Sequence, residues 1–340
     1  MVAASRTGRN LIWTKIEVRE GVQGRFSNIS PIFTHMNTSC SNAVSWPVEE
    51  LRWVLTSPPL MMDSCWPGGV TQWPGHWSSE EDVTHILEAA AIEETDLARL
   101  FSHPSGFIGK RFERILHYCF THHPAFELAG SGMVIQHEKR TTGEIDFLLR
   151  HIATGDWIHV ESACKYYLGD GNHTAWDSWL GLNPEDTLER KIGTLKRQLD
   201  ASRAREILRS IAPAESGILH SVVIMKGYFF VPFDRLGKSK LPHHAHRGHS
   251  AGWWMHQSQL RVIPDLPAQW IVLERDRWIA PWRSLVSEVM PVGGIELHRQ
   301  VNAILLHHSG CLVVQLFQEG DEYRELSRGM IVPDHWPGKR

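Results

Sequence analysis

Four charged residues interrupt two otherwise apolar, strand-like runs within residues 143–167, GEIDFLLRHIATGDWIHVESACKYY. They are Glu144, Asp146, Glu161 and Lys165. Burying a charge is costly unless it is paired or bound to a metal ion. Carboxylate oxygens suit a hard divalent cation, most plainly Mg²⁺ (or Mn²⁺), whose shell is completed by water and phosphate. These residue types therefore predict metal-assisted hydrolysis of a phosphodiester bond, with the lysine stabilising charge on the phosphorus-centred transition state.

The spacing of these residues brings them onto one face of a sheet if Thr154-Gly155 is the two-residue turn of a hairpin. Residue numbers paired across that ladder would then sum to 309, which places Asp146 opposite Ala163. Because side chains alternate, Glu161 and Lys165 become diagonal neighbours of Asp146. A shift of one residue would move Glu161 to the other face and destroy the cluster.

Apolar periodicity predicts the elements that must position these side chains. Helices are predicted near residues 48–57, 108–120 and 184–199, the last capped by Asn183 with Pro184 in its first turn. Strands are predicted at residues 132–137, 144–149, 157–167 and 221–232. Three strands with short links favour an antiparallel meander, and the helix before the fourth permits a parallel crossover. We therefore expect an α/β fold with a mixed sheet.

The rest of the chain divides into regions of different character. Residues 1–35 show no periodicity and are predicted to be a disordered tail or upstream sequence, with Met36 as the true start. An N-terminal helical and loop region is predicted at 36–100, in which 62–80 reads as an irregular loop. The core is predicted at 101–232, and a C-terminal extension of short strands and turns packed on it at 233–340.

Composition restricts the functional classes. The chain has 340 residues, is 42% apolar and carries a net charge of −3, so any nucleic-acid contact must come from a local patch. Its five cysteines are scattered without a CxxC pair, which favours a reducing cytoplasm. No apolar run is long enough to cross a bilayer, so no membrane association is expected.

Eight stretches of the sequence occur in an order that is familiar. They are LRWVLTSPPLM, IGKRFERIL, TTGEIDFLL, HVESACKYYLG, the helix from Leu188 to Leu199, KGYFFVP, RWIAP and RGMIVPDHWP. In these motifs the chain resembles a bacterial family catalogued as domain of unknown function 1853, over roughly residues 48–337. The order helix–strand–strand–strand–helix–strand, with acids on the first helix and two strands, also resembles the PD-(D/E)XK nuclease superfamily.

The resemblance implies a restriction-endonuclease-like αβββαβ core with N-terminal helical and C-terminal β-rich additions. It makes Asp146 the principal metal ligand, Glu161 the second and Glu113 the acid of the first helix. Asp146, Glu161 and Lys165 would be the catalytic residues. Possible accessory residues are Glu144, Lys191 and Gln198. One departure stands out, because the superfamily's lysine position, two residues after the acid, holds Ala163, and the lysine follows two residues later at Lys165.

Each of these interpretations has an alternative. The two strand carboxylates would otherwise mark an exposed sheet face, Lys165 would form an ion pair with Glu144 directly opposite, and Glu113 would form a surface salt bridge. The basic residues of the later helix and beyond would hold a phosphate backbone or cover a solvated face. They are Arg190, Lys191, Lys196, Arg197, Arg203, Arg205 and Arg209.

Three functions remain as expectations. The first is a Mg²⁺-dependent nuclease or related phosphodiesterase acting on DNA or RNA. The second is a catalytically inactive nuclease-fold protein that serves as a nucleic-acid-binding or scaffold module. The third is a hydrolase whose zinc site lies in a histidine-rich loop. The histidines concerned are His243, His244, His246, His249 and His256.

Overall fold

A computed structural model describes residues 46–92, 97, 107–137, 140–200, 218–262 and 269–338 of the chain. The tail predicted at residues 1–35 and the basic residues Arg203, Arg205 and Arg209 lie outside the described residues. No helix in the described part is both long enough and apolar enough to cross a membrane.

Five α-helices of eleven or more residues lie in the described ranges. They are α1 (Trp46–Thr56), α2 (Glu80–Ile92), α3 (Ile108–Thr121), α4 (Leu188–Gln198) and α5 (Gly294–Leu305). α3 and α4 are strongly amphipathic, which is typical of helices that cover one face of a sheet. The predicted helices near 48–57, 108–120 and 184–199 are α1, α3 and α4.

The strands of the described residues join one mixed sheet. They are β1 (Val70–Gln72), β2 (Phe126–His137), β3 (Arg140–His151), β4 (Trp157–Gly169), β5 (Trp179–Leu180), β6 (Leu219–Pro232), β7 (Ser250–His256), β8 (Trp270–Leu273), β9 (Arg283–Leu285), β10 (Cys311–Glu319) and β11 (Glu322–Val332). The order along the main path is β2-β3-β4-β6-β7-β11-β10-β8, while β1, β5 and β9 pair with β6, β4 and β11. The expected mixed α/β class is confirmed.

The connections follow the predicted order. β2, β3 and β4 form an antiparallel meander, and β6 returns parallel to β4 after α4. α1 and α3 pack on one face of the sheet, where they meet Val160 and Ile224. α4 packs on the other face, against Ala163 and Val223. Because side chains alternate along a strand, Glu161 and Lys165 belong to the α4 face with Ala163.

The predicted register of the β3–β4 hairpin is wrong by two residues. Leu148 pairs with His159 and Arg150 with Trp157, so paired numbers sum to 307 rather than 309. The turn is longer than Thr154-Gly155, because His151 bonds to Asp156 and a four-residue loop lies between them. The shift is an even number, so every side chain keeps its predicted face.

The predicted cap of the later helix is also wrong. α4 is capped by Thr187, whose hydroxyl accepts a hydrogen bond from the amide of Arg190 at 3.2 Å. Asn183 instead bonds through Oδ1 to the amide of Glu185, and its carbonyl accepts from the amide of Asp186. Asn183 and Pro184 therefore form a turn that precedes the helix, since asparagine stabilises turns as readily as helix starts.

Two regions contain more regular structure than predicted. Residues 62–80, predicted as an irregular loop, include β1, which pairs in parallel with β6. The C-terminal region, predicted as strands and turns, also contains α5. The sheet continues across the predicted boundary between 232 and 233, because β7 pairs with β6 and β11 with β7.

Buried polar side chains tie the C-terminal region to the centre of the sheet. Tyr166 and Tyr228 donate through their hydroxyls to the carbonyls of Trp278 and Ile279 at 3.0 and 3.1 Å. The buried guanidinium of Arg328 donates to the carbonyls of Trp278 and Ala280 and forms an ion pair with Glu325. Buried backbone carbonyls need such partners, so these bonds fix the segment at 278–280 against the core.

Candidate functional site

β3 and β4 separate at the level of Asp146. The last paired residues are Phe147 and Val160. One step further, the half-buried carboxylate of Asp146 accepts hydrogen bonds at Oδ2 from the amide of Ser162 at 2.7 Å and from its hydroxyl at 2.9 Å. Where the ladder ends, the amide of Ser162 therefore donates to the side chain of Asp146 rather than to a backbone carbonyl of β3. These two bonds hold the carboxylate in one orientation at the opening between the two strands.

Glu161 is buried on the α4 face, with 1% of its surface exposed. Its Oε1 lies 2.9 Å from Nε2 of His159, a fully buried neighbour two residues earlier on the same face. Burial raises the pKa of Glu161, the hydrogen bond from His159 opposes that rise, and the negative charge of Asp146 adds to it. A buried carboxylate beside a second carboxylate is an electrostatically unfavourable arrangement that a cation would relieve.

Asp146 and Glu161 share a face. Asp146 and Glu161 each lie one residue beyond the last pair of the ladder, and the charge of Asp146 acts on the pKa of Glu161, so the two carboxylates are neighbours. No residue that the structure describes donates a hydrogen bond to Oδ1 of Asp146 or to Oε2 of Glu161. One oxygen of each carboxylate is therefore available for another ligand.

Lys165 lies on the same face but is engaged elsewhere. Its Nζ is 2.5 Å from Oδ2 of Asp186, in the loop that leads into α4. The predicted alternative partner, Glu144, is wrong, because Lys165 pairs with Asp186. The paired part of the β3–β4 ladder ends at Val160, so Lys165 is not opposite any residue of β3. Lys165 instead joins β4 to the start of α4.

Lys191 on α4 supplies a second ammonium group at this place. It is half-buried and makes no ion pair with any residue in the described ranges. Burial lowers the pKa of Lys191, whereas the carboxylates of Asp146, Glu161 and Asp186 counteract this and the charge of Lys165 adds to it. Lys191 therefore stands within electrostatic reach of both strand carboxylates.

Glu113 lies on α3, the helix on the opposite face of the sheet from Glu161. Its half-exposed carboxylate pairs with Lys110 at 2.7 Å, one turn earlier on the same helix. The hydrogen bond to Glu113 raises the pKa of Lys110, and the carboxylates of Glu144 and Asp146 reinforce the rise. Lys110 thus connects the acid of the first helix electrostatically to the strand acids.

The remaining two candidates are peripheral in different ways. Glu144 is exposed on β3 and has no ion pair among the described residues. Gln198 ends α4, and its buried Oε1 has no hydrogen-bond partner in the part of the chain that the structure describes. Gln198 is thus an unsatisfied acceptor at the far end of α4 from Lys191.

The group as a whole has an excess of negative charge. Its members are the carboxylates of Glu113, Glu144, Asp146, Glu161 and Asp186 and the ammonium groups of Lys110, Lys165 and Lys191. In their ionised forms these groups carry five negative and three positive charges. Among the described residues, however, no three His, Cys, Asp or Glu side chains are grouped closely enough to hold a metal ion by themselves. A cation here would have two protein carboxylates and a shell completed by water or substrate, which is how Mg²⁺ is commonly held.

Three residues of this site escape prediction from the sequence. His159 could have been found, because it precedes Glu161 by two residues in an alternating strand and so shares its face. Ser162 could not, since its contact with Asp146 depends on where the ladder ends. Asp186 belongs to a loop whose path the sequence does not reveal.

The histidine-rich loop has other contacts. The ring of His244 bonds to the hydroxyl of Ser64, His249 to the carbonyl of His246, and His256 to the carbonyl of Trp336. Each of these bonds uses one nitrogen of its ring, and the buried Nε2 of His249 has no hydrogen-bond partner among the described residues. Among the described residues, which include this loop, no three His, Cys, Asp or Glu side chains are grouped closely enough to hold a metal ion.

Comparisons with known proteins place the chain in a family. No curated protein and no solved structure matches it. Residues 49–332 match the family described as Domain of unknown function (DUF1853), which is most of the 340-residue chain. The matched range begins within α1 and ends at the last residue of β11, so it includes the described sheet and the candidate site. The chain belongs to the DUF1853 family.

Proposed function

We propose that this protein is a Mg²⁺-dependent nuclease with a PD-(D/E)XK-like core formed by α3, β2, β3, β4, α4 and β6. One observation carries the proposal. Two carboxylates from adjoining strands, Asp146 and Glu161, share a face at the point where those strands separate, and each has an oxygen without a described partner. Two carboxylates in this arrangement are suitable ligands for a hard cation.

The residues present fit such an ion. Glu161 is buried, its pKa is raised, and the neighbouring charge of Asp146 is repulsive. A divalent cation would remove that repulsion and replace lost solvation. Mg²⁺ or Mn²⁺ held by these carboxylates would polarise a phosphate and lower the pKa of the attacking water.

The protein's own residues would then have separate tasks. His159 and Ser162 hold the two carboxylates in fixed orientations before an ion arrives. The ammonium of Lys191, half-buried and without an ion pair among the described residues, is placed to stabilise negative charge on phosphate oxygens.

Lys165, the residue expected to be catalytic from the resemblance, receives a different assignment. Its ammonium is held by Asp186, and this pair fixes the start of α4 relative to β4. Lys191 follows Asp186 by five residues on that helix. We therefore assign Lys191 the role of the active-site lysine and Lys165 the role of positioning the helix that carries it.

A cleavage assay tests the proposal. The purified full chain is incubated with single- and double-stranded DNA and RNA in Mg²⁺, Mn²⁺ or EDTA. We expect metal-dependent cleavage that falls by at least about 100-fold in Asp146→Asn, Glu161→Gln and Lys191→Met. Glu127→Gln is the matched control, because it replaces an exposed carboxylate on β2 by a carboxamide, and it should keep full activity. Activity that persists in the Asp146→Asn/Glu161→Gln double variant would contradict the assignment.

A specific observation favours a second candidate, a nucleic-acid-binding module without catalysis. Ala163 occupies the position of the superfamily's lysine, and Lys165 is paired with Asp186. This candidate predicts that the protein binds nucleic acid without a divalent ion. It also predicts that no nucleic acid is cleaved under any condition. Calorimetric titration with Mn²⁺ separates the two candidates. The nuclease requires that the wild-type protein binds Mn²⁺ and that Asp146→Ala does not, whereas the binding module requires no bound ion.

A further inference from the structure

The loop between β6 and β7 carries a concentration of positive charge. Its cations are Arg235, Lys238, Lys240 and Arg247. All four are exposed, and none forms an ion pair with a residue that the structure describes. No acidic residue occurs from 235 to 249, in a protein whose net charge is −3. We call residues 235–249 the basic loop.

The basic loop has a fixed backbone. The amide of His246 donates to the carbonyl of Leu60 at 3.0 Å, and the carbonyl of His244 accepts from the amide of Met62 at 2.7 Å. On its other side the amide of His243 donates to the carbonyl of Thr174 at 3.1 Å. These bonds hold residues 243–246 against two separate segments, and the amides of Lys238 and Ser239 donate to the carbonyl of Arg235. Less conformational freedom is lost when a surface ordered in this way binds a partner.

Trp176 links this surface to α4. Its indole Nε1 donates to the carbonyl of His243 at 2.7 Å. The ammonium of Lys196 on α4 lies 5.1 Å from the centre of the Trp176 ring, which is the distance of a cation–π contact. Lys196 follows Lys191 by five residues, or about 7.5 Å along the helix axis. Lys196 therefore lies beside the basic loop, on the helix that also carries Lys191.

We propose that the basic loop together with Lys196 is a binding surface for the phosphate backbone of a nucleic acid. A loop with four exposed cations, none of them in an ion pair with a described residue, suits a polyanion. Acidic residues beside this surface are exposed Asp63 (between Met62 and Ser64, which both bond to His244), Asp177, next to Trp176, and Asp234, which precedes the loop. The choice of a nucleic acid rests on the proposed function, since the surface adjoins the helix that carries Lys191.

Binding without cleavage tests this surface separately from catalysis. Fluorescence anisotropy is measured with labelled 20-nucleotide single-stranded and duplex DNA, in EDTA, with the Glu161→Gln protein as the reference. In that background the substitutions Arg235→Ala, Lys238→Ala, Lys240→Ala and Arg247→Ala are combined. We expect the dissociation constant to rise at least about tenfold and the slope of log K against log salt to become shallower by roughly 0.7–0.9 for each lost phosphate contact.

A charge-matched control removes four arginines elsewhere. They are Arg52, Arg261, Arg299 and Arg324. This control should change the affinity by less than about twofold, because non-contacting charges act only through screened long-range fields. If the fourfold basic-loop variant does not fold, the double variant Lys238→Glu/Lys240→Glu, at two exposed positions, replaces it.

Three results would overturn the proposal. They are no DNA binding by the reference protein, equal losses in the basic-loop variant and its charge-matched control, or binding to anionic lipid vesicles in place of DNA. Failure of the proposed nuclease is distinguishable, because it appears as an absence of metal-dependent cleavage while the loop-dependent binding remains.

Discussion

Nε2 of His159 and Oε1 of Glu161 lie 2.9 Å apart, and both side chains are almost completely buried. Residues two apart on a strand point to the same face, so the strand itself sets this contact. The neighbouring carboxylate, that of Asp146, is fixed by two hydrogen bonds from Ser162. The two acids are therefore oriented by neighbours on β4, and the proposed cation would need little reorganisation of them.

The first prediction concerns His159. Replacing it by leucine removes the donor to Glu161, and we expect the affinity for Mn²⁺ to fall about 10- to 100-fold, as for other residues that orient metal ligands. His159→Gln, which retains a donor of similar reach, should recover most of the affinity. Calorimetric titration with Mn²⁺ measures both.

The thermal midpoints of both His159 variants are recorded in parallel. A purely structural role would lower the thermal midpoint but leave the affinity for Mn²⁺ unchanged at temperatures where the variant stays folded. Equal affinities for the leucine and glutamine variants would mean that the hydrogen bond does not orient Glu161.

The second prediction concerns the Lys165–Asp186 pair. Both side chains are about one-third exposed, so the pair should contribute no more than about 1 kcal/mol to the free energy of unfolding. Lys165→Met and Asp186→Asn should nevertheless lower cleavage by similar factors, because either change releases the start of α4 and displaces Lys191. The double variant should lose no more activity than the worse single variant.

Kinetic assays of the four proteins measure this double-mutant cycle. Independent, multiplicative losses would instead mean that Lys165 contacts the substrate directly. Lys191→Met should be more damaging than either single change.

The third prediction compares two glycines with left-handed backbones. Gly227 has φ +138°, and a Cβ there would overlap the backbone of Lys165 on the adjoining strand. Gly155 has φ +74° but opens into free space. Gly155→Ala should cost about 1 kcal/mol of backbone strain, whereas Gly227→Ala should cost more than about 3 kcal/mol, since β4 and β6 must also separate. Urea unfolding measures both, and equal losses would show that only the dihedral angle matters.

Much of the core was predictable because its signals are local. The apolar residues at helical spacing in α3, and the alternating apolar residues in β3 and β4, are the side chains that must be buried. The order of elements therefore follows from apolar periodicity alone. The face shared by Asp146 and Glu161 was predictable for the same reason, since it depends only on parity. The loop at 152–155 changed the register by two and left that parity intact.

The partners of the charged side chains could not be predicted. Lys165 meets Asp186 because the loop before α4 folds back over β4, and that path depends on tertiary packing. The cap of α4 was predicted at Asn183 and is found at Thr187, because both residue types suit a helix start as well as a turn. The contribution of the C-terminal strands to the same sheet involves contacts between residues distant in sequence, for which short apolar runs give no pairing information.

The last prediction concerns Lys226, a fully buried lysine on the face of the sheet that α1 covers. Its ammonium donates to the carbonyl of Ser57, one residue beyond the end of α1, where a positive charge favours the helix dipole. Burial lowers the pKa of Lys226 from 10.5 to about 7. Between these two values the unfolded chain binds a proton that the folded chain does not, so the contribution of Lys226 to stability rises with pH from about 7 towards 10.5.

Lys226→Met removes this dependence. The difference in free energy of unfolding between wild type and Lys226→Met should therefore shift in favour of wild type by about 1.5 kcal/mol between pH 7.0 and 8.5. Urea titrations at the two pH values, under reducing conditions, measure the shift. Lys238→Met is the matched control, because that exposed ammonium remains in contact with solvent in the folded chain. A pH-independent difference for Lys226→Met would mean that the lysine stays charged in the core, held by the carbonyl of Ser57.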